Sequence, residues 1–234
     1  MLPDALQVFL NRAAPGAHPH CEHAWPHGLS RAWQLHTPDG PLFLKTHRKA
    51  AHYARERHAL QHWAPALGAR STQLVAHDDD AQALLLTAAP GTLALHAPLT
   101  AAQERTLHAQ AGAHLACLHA QPLAPAEHFE YRAYLQGQWP TVRDRALTHG
   151  TLGAPTLAWV DTQVDGALRS GPWPVAPAHR DYTARNWVVD VRPDGTVRTT
   201  IIDYGGARPH PPVLDLERPH AEVCPPARTS APPS

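Results

Sequence analysis

The stretch that most restricts what this chain can fold into runs from His179 to Asp215. It reads His179-Arg180-Asp181-Tyr182-Thr183-Ala184-Arg185-Asn186, then two short apolar strands, Trp187–Val191 and Thr199–Ile202, around the turn Pro193-Asp194-Gly195, and then Asp203-Tyr204-Gly205. Phosphoryl transfer asks a protein for a carboxylate to receive the attacking hydroxyl's proton. It also asks for oxygen ligands to the Mg²⁺ that bridges the nucleotide phosphates. His-Arg-Asp followed by four residues and Asn supplies the carboxylate, Asp181, and one metal ligand, Asn186, from a single loop. Asp203, at the end of the next strand, supplies a second ligand. Each of these residues alone would read as a turn cap or a strand end. The whole set in this order and context reads as a site.

Composition excludes several other roles. Lys+Arg and Asp+Glu are 20 each, so the formal net charge is zero, without the basic field of a nucleic-acid binder. No apolar run approaches the roughly 20 residues needed to span a bilayer. Met1 to Leu10 carries Asp4 and no basic region of the secretory kind. Cys21, Cys117 and Cys224 are odd in number and far apart, which does not suggest a disulfide framework. A soluble cytoplasmic protein is the expectation. The 19 histidines invite a metal reading around Cys21, His23 and His27, but no paired C-x-x-C or H-E-x-x-H spacing accompanies them, so they read as structural or solvated.

Periodicity and turn chemistry outline the rest. Residues 1–20 read as a short helical start and a Pro- and His-rich loop. Arg31–His36 and Pro41–His47 form a hairpin around Pro38-Asp39-Gly40. Ala50 to Leu67 is helical, with Tyr53, Leu60 and Trp63 on one face, and Ser71–His77 and Gln82–Ala88 are strands. Ala89-Pro90-Gly91 breaks the pattern and marks a hinge near 88–92. A helix begins at Thr100, which forms a capping box with Gln103, and carries the stripe Leu107, Ala111, Leu115, Leu118. Residues 121–155 read as irregular apart from a short helix near Tyr131–Gln136, and another helix runs from Thr156 to Leu168. From Pro219 the proline-rich tail has little to bury and reads as disordered.

The tract HRDYTARNWVVD resembles the catalytic loop and following strand of the aminoglycoside phosphotransferase-like family, within the protein-kinase-like superfamily. IIDYGGARPHPPVLDLER resembles its metal-binding segment, and Ala113–His119 its helix ending in a Leu-His pair. The resemblance covers about residues 28–218 and implies a two-lobed α+β fold. In that fold a small antiparallel-sheet nucleotide-binding lobe spans 1–92 and a mostly helical lobe spans 93–218. The implied activity is transfer of the γ-phosphoryl group of ATP, or GTP, to a hydroxyl of a small molecule. An aminoglycoside-like antibiotic comes first as acceptor, followed by choline-like amino alcohols and sugars. Asp181 is then the base, Asn186 and Asp203 hold Mg²⁺, His179 anchors the loop, and Asp215 matches the family's buttressing Asp.

The resemblance also asks the first half for a lysine toward the phosphates. Lys45 and Lys49 are the only lysines, and Lys45 ends the apolar strand Pro41–Leu44. Its expected partner is Glu56, the only acidic residue between Lys45 and Asp78. Ser30 is the candidate for phosphate contact through its backbone, and Thr87–Pro90 for the adenine. Two departures stand out. His27-Gly28-Leu29-Ser30-Arg31 has a single glycine where the loop should cover the phosphates. The chain also ends soon after Asp203, with Pro219 interrupting the run Asp-Leu-Glu-Arg, so the helical lobe reads as C-terminally short. A working enzyme would build its substrate wall from residues 121–170. The alternative is a truncated, non-catalytic nucleotide-binding or interaction module of the same fold. No A-P-E-type segment follows Asp203, which disfavours a protein-kinase reading.

Overall fold

A computed structural model describes residues 2–24, 30–170 and 173–217. The chain opens with α1 (Asp4–Ala13), which buries Leu6, Phe9 and Leu10 on one face. Next comes β1 (His18–Ala24), where the sequence pattern indicated a loop. This strand has no apolar alternation to betray it because it is the outer strand of its sheet. A register shift between Pro19 and Cys21 accommodates the proline, which such an edge tolerates. β2 (Ser30–His36) and β3 (Leu42–His47) form the expected hairpin. Its turn is closed by the Thr37 hydroxyl, which donates to the Gly40 carbonyl at 2.6 Å and accepts the Asp39 N–H at 3.2 Å.

α2 (Ala50–His62) stops short of the expected Leu67. Ala64–Arg70 continues as tighter turns, since Pro65 cannot donate to an α-helical ladder. β4 (Leu74–Asp78) and β5 (Ala83–Thr87) complete a five-stranded antiparallel sheet ordered β1-β2-β3-β5-β4. All of Ala83, Leu84, Leu85 and Leu86 are buried. Ala83 and Leu85 pack with Phe9 and Leu10 of α1, whereas Leu84 and Leu86 join Tyr53 and Leu60 of α2. A strand covered on both faces reads as a continuous apolar run.

After β6 (Thr92–Leu93) comes α3 (Ala101–His119), capped as its sequence requires. The Gln103 N–H donates to the Thr100 hydroxyl at 3.3 Å, and the Thr100 N–H to the Gln103 side chain at 2.9 Å. Leu107, Ala111, Leu115 and Leu118 are buried in the same core as Leu84, Ile201 and Tyr204, so one apolar layer runs from the sheet into the helical half. α4 (Tyr131–Thr148) corrects the expectation of a short helix ending near Gln136. It runs on through Pro140 and is fastened to α5 (Ala154–Arg169) by Trp139 and Arg143, which donate to the Asp161 carboxylate at 2.9 and 3.1 Å. These side-chain bonds reach across in a way that apolar periodicity does not record. No helix among the described residues is long and apolar enough to cross a membrane.

The later part of the described chain holds short strands: β7 (Ala176–Ala178), β8 (Trp187–Val191), β9 (Val197–Ile201) and β10 (Arg208–His210). β6, β8 and β9 form one antiparallel sheet, and β7 pairs with β10. The single-glycine loop segment His27–Leu29 and the tail from Pro219 lie outside the described residues.

Two predictions follow from packing and burial. Gly91 has φ +111°, and a Cβ there would stand 2.1 Å from the Val189 carbonyl oxygen, a backbone atom that cannot swing away. Gly91→Ala should cost on the order of 2–4 kcal/mol. Gly112→Ala, in open space on α3, should instead stabilise by about 0.5–1 kcal/mol. Urea denaturation midpoints of the two variants check this, and midpoints shifted in the same direction would refute it.

The second prediction concerns acid. His114 and His210 are buried and held neutral, each with its pKa lowered from 6.5 to about 4. Burial is the main cause for both; Arg70 adds repulsion at His114, and Arg180 and Arg208 add it at His210. The unfolded chain takes up these protons below pH 6.5 while the native state refuses them, so stability should hold above 6.5 and fall progressively between 6.5 and 4. Denaturation at pH 7.5, 5.5 and 4.5 tests this, and His114→Gln should flatten part of the slope.

Candidate active site

The expected lysine pairing forms, and it is wider than the sequence suggested. β3 alternates, so Lys45 and His47 lie on the face that meets α2. Lys45 Nζ donates to Glu56 Oε1 at 2.9 Å, lies 2.8 Å from Oε2, and donates to Asp203 Oδ1 at 2.8 Å. One ammonium therefore joins the helix of the small sheet half to the turn after β9. Burial works against the charge on Lys45, but Asp203 and Glu56 outweigh it and hold its pKa above the ordinary ammonium value. Burial likewise opposes ionisation of Asp203, and Lys45 overcomes it, keeping that carboxyl well below the usual range. Glu56 is fully buried and also accepts the Tyr204 N–H at 3.2 Å.

Asp203 sits in left-handed backbone, φ +62°, and accepts the Gly205 N–H on Oδ1 at 3.2 Å. A Cβ on Gly205 would stand 3.2 Å from that same oxygen and 3.5 Å from Glu56 Oε2, so a side chain there would crowd both carboxylates. Among the described residues Oδ2 of Asp203 has no hydrogen-bond partner.

The loop 179–186 is clamped at both ends by its neighbours. His179 Nε2 donates to the Ile202 carbonyl at 3.0 Å, and the Ile202 N–H donates to the Asn186 carbonyl at 3.0 Å. Both main-chain groups of Ile202, the residue before Asp203, are thus held by the loop. Within the loop, Asn186 Nδ2 donates to the Asp181 carbonyl at 2.8 Å and to Asp181 Oδ2 at 3.0 Å, which orients that carboxylate.

From below, the buried Asp215 carboxylate accepts the N–H groups of His179 at 2.8 Å and Arg180 at 2.6 Å. It also meets His119 Nε2 at 3.0 Å. Burial raises the cost of its charge, and the bonds from His119 and the two backbone N–H groups more than compensate, so its pKa is lowered. Arg180 is left-handed, φ +65°, a costly state for a residue with a Cβ, and the bond to Asp215 holds it there.

Ser30 opens β2 directly opposite His47, and Ala32 stands opposite Lys45, so Ser30 shares the Lys45 face of the sheet. In Thr87–Pro90, Thr87 spends both main-chain groups inside the protein: its N–H on the Gln73 carbonyl at 3.0 Å and its carbonyl on the Thr72 hydroxyl at 2.8 Å. Lys49, the alternative lysine, caps α2 and takes no part in the network. Cys21 Sγ lies 3.1 Å from His23 Nε2, and among the described residues no three His, Cys, Asp or Glu side chains converge as a metal group.

His47 is the residue the sequence did not single out. Its Nε2 lies 2.8 Å from Glu56 Oε2, with its side chain almost wholly buried. In a chain with 19 histidines nothing marks one of them; only its spacing of two from Lys45 could have done so.

Solved structures share this architecture. A complex of aminoglycoside phosphotransferase APH(2″)-IIIa with GDP and kanamycin aligns over 94% of this chain and 78% of its own, at TM-score 0.69 and 14% identity. A thermostable mutant of APH(4)-Ia with ADP and hygromycin B aligns over 91% and 75%, at TM-score 0.64 and 13% identity. The type VIII aminoglycoside-3′-phosphotransferase aligns over 91% and 80%, at TM-score 0.58 and 21% identity. At such identities the likeness establishes the two-lobed protein-kinase-like α+β fold. No curated protein matches the chain. The model of the phosphotransferase enzyme family, APH, matches residues 24–225, from the first strand through the loop, Asp203 and Asp215, and the chain belongs to that family.

Proposed function

We propose that the chain is a small-molecule kinase that transfers the γ-phosphoryl group of ATP, or GTP, to a hydroxyl of an aminoglycoside-like antibiotic or a related amino alcohol or sugar. The observation that carries this reading is Lys45 bridging Glu56 and Asp203, with Asp181 and Asn186 clamped beside the same Asp203. Nucleotides and aminoglycosides in the related structures support the class of both substrates. In this reading residues 1–92 form the nucleotide lobe, with a hinge at 88–92 where backbone groups would meet the base.

Asp181 accepts the proton of the attacking hydroxyl and aims that hydroxyl, its own orientation fixed by Asn186. Lys45, held by Glu56, meets the phosphates, and backbone N–H groups near Ser30 cover them. His179 and Asp215 keep the loop in place. The oxygen donors suit Mg²⁺: Asn186 spends its amide N–H on Asp181 and keeps its Oδ1, and Asp203 keeps its Oδ2, so these two residues would hold the cation together with phosphate oxygens and water. When bound, Mg²⁺ would neutralise charge that develops on the phosphates.

Mg²⁺-ATP should raise the melting temperature, because a ligand that binds only the folded state stabilises it by mass action. Asp203→Asn should weaken that Mg²⁺-dependent shift, and an equal shift in wild type and variant would remove Asp203 from the metal site. Asp181→Asn should keep nucleotide binding and lower turnover by roughly two to four orders of magnitude. ATP consumption over a panel of aminoglycosides, choline and simple sugars measures this. Unchanged turnover in the variant would make Asp181 structural, and ATP binding with no acceptor phosphorylated would favour a non-catalytic module.

A further inference from the structure

We infer that Ser71 is a positioning residue of the candidate site: through the hydroxyl of Tyr204 it holds the turn that presents Asp203, and through Thr72 it ties that turn to Thr87, where the proposed hinge begins. The inference rests on the proposed function, because it concerns how Asp203 is offered to Mg²⁺. Tyr204 follows Asp203 directly and is wholly buried, and Ser71 is buried beside it. Their hydroxyl oxygens stand 2.8 Å apart. Ser71 has one proton, and the Thr72 carbonyl, which can only accept, takes it at 3.0 Å. Tyr204 is therefore the donor and Ser71 the acceptor. Among the described residues Ser71 is the only hydrogen-bond partner of the Tyr204 hydroxyl.

Thr72 is engaged in three directions. Its carbonyl accepts from Ser71, its N–H donates to the Ile201 carbonyl at 3.0 Å, and its hydroxyl donates to the Thr87 carbonyl at 2.8 Å. The Gln73 N–H then donates to the Thr87 hydroxyl at 2.9 Å. Three consecutive residues thus connect Thr87 to the end of β9 and to the turn after it. Asp203 needs such support. Its backbone is left-handed, a state that a residue with a Cβ keeps only where its surroundings over-determine it. Lys45 grips the Asp203 carboxylate and Glu56 the Tyr204 N–H, but both act near the main chain of the turn. Ser71 alone holds the far end of the Tyr204 ring. Turning Asp203 out of the site would drag that ring along and strip its proton of a partner inside an apolar layer. Without the bond, fewer molecules hold Asp203 in place, and apparent Mg²⁺ affinity falls by that fraction.

The test is a thermal-shift titration of the full-length chain with AMP-PNP at fixed concentration and rising Mg²⁺, which needs neither acceptor nor turnover. The reading is the Mg²⁺ concentration that gives half of the nucleotide-dependent shift. Ser71→Ala and Tyr204→Phe should each raise it about three- to tenfold, the range for one lost hydrogen bond. The double variant should raise it no further than either single one, because both remove the same bond. Ser71→Thr, which keeps the accepting hydroxyl, should recover most of the loss. Phe9→Leu, in the layer under the first helix, should lower the melting temperature and leave the half-point where it was. That control separates positioning from a general loss of stability. If Ser71→Ala does not fold, Tyr204→Phe, which removes a single oxygen, carries the same expectation. An unmoved half-point in Ser71→Ala and Tyr204→Phe, losses that add in the double variant, or a half-point that also moves in Phe9→Leu overturns the inference alone. No nucleotide shift in the wild type overturns the proposed function and this inference with it.

Discussion

A wholly buried carboxylate is expensive unless opposite charge and hydrogen bonds surround it, and Glu56 is the point on which the rest of this molecule turns. Its partners come from two distant parts of the chain: Lys45 and His47 from the third strand, and the Tyr204 N–H from the turn after the ninth. Lys45 extends the network to Asp203. The charge that must be satisfied in the sheet half can be satisfied only if the later turn is in place. Electrostatics therefore fixes the relative position of the two halves, and the shared apolar core around Leu84, Trp63 and Ile201 supplies the bulk of the burial.

Asp215 does for the loop what Glu56 does for the lysine. It is buried, negative, and surrounded by donors: the His179 and Arg180 N–H groups and His119 from the end of the third helix. Two residues of the candidate site, Arg180 and Asp203, adopt left-handed backbone that a side chain disfavours. Each is over-determined by bonds to a carboxylate or an ammonium, so local strain coexists with a defined geometry.

Much of this was legible in the sequence, for identifiable reasons. The site from His179 to Asp215 is contiguous, and its residue types are chemically distinctive in that order. Lys45 and Glu56 were readable because lysine and acid are scarce there. The capping box at Thr100 is a local signature and appeared as expected. The first strand was not readable, since an edge strand with one solvated side needs no apolar pattern. The length of the fourth helix was hidden behind Pro140, because what sustains it is a pair of bonds to Asp161 on another helix. His47 was hidden by abundance, and Thr87 by the fact that its bonds are made by backbone.

The fifth strand has one more consequence. With Ala83, Leu84, Leu85 and Leu86 all buried, it presents hydrocarbon to both sides and carries no information about its own alignment. Slid by one residue, it would still offer greasy surface to each layer. The third strand, opposite it, does discriminate: Leu44 enters the layer under the first helix, whereas Lys45, paired with Leu84, must meet Glu56. A one-residue slip of that strand would drive an ammonium into the layer of Phe9 and Leu10 and leave Glu56 unmatched. The ion cluster thus works as a key for strand alignment: the featureless strand is read against its charged neighbour, and the sheet has one assembly instead of two.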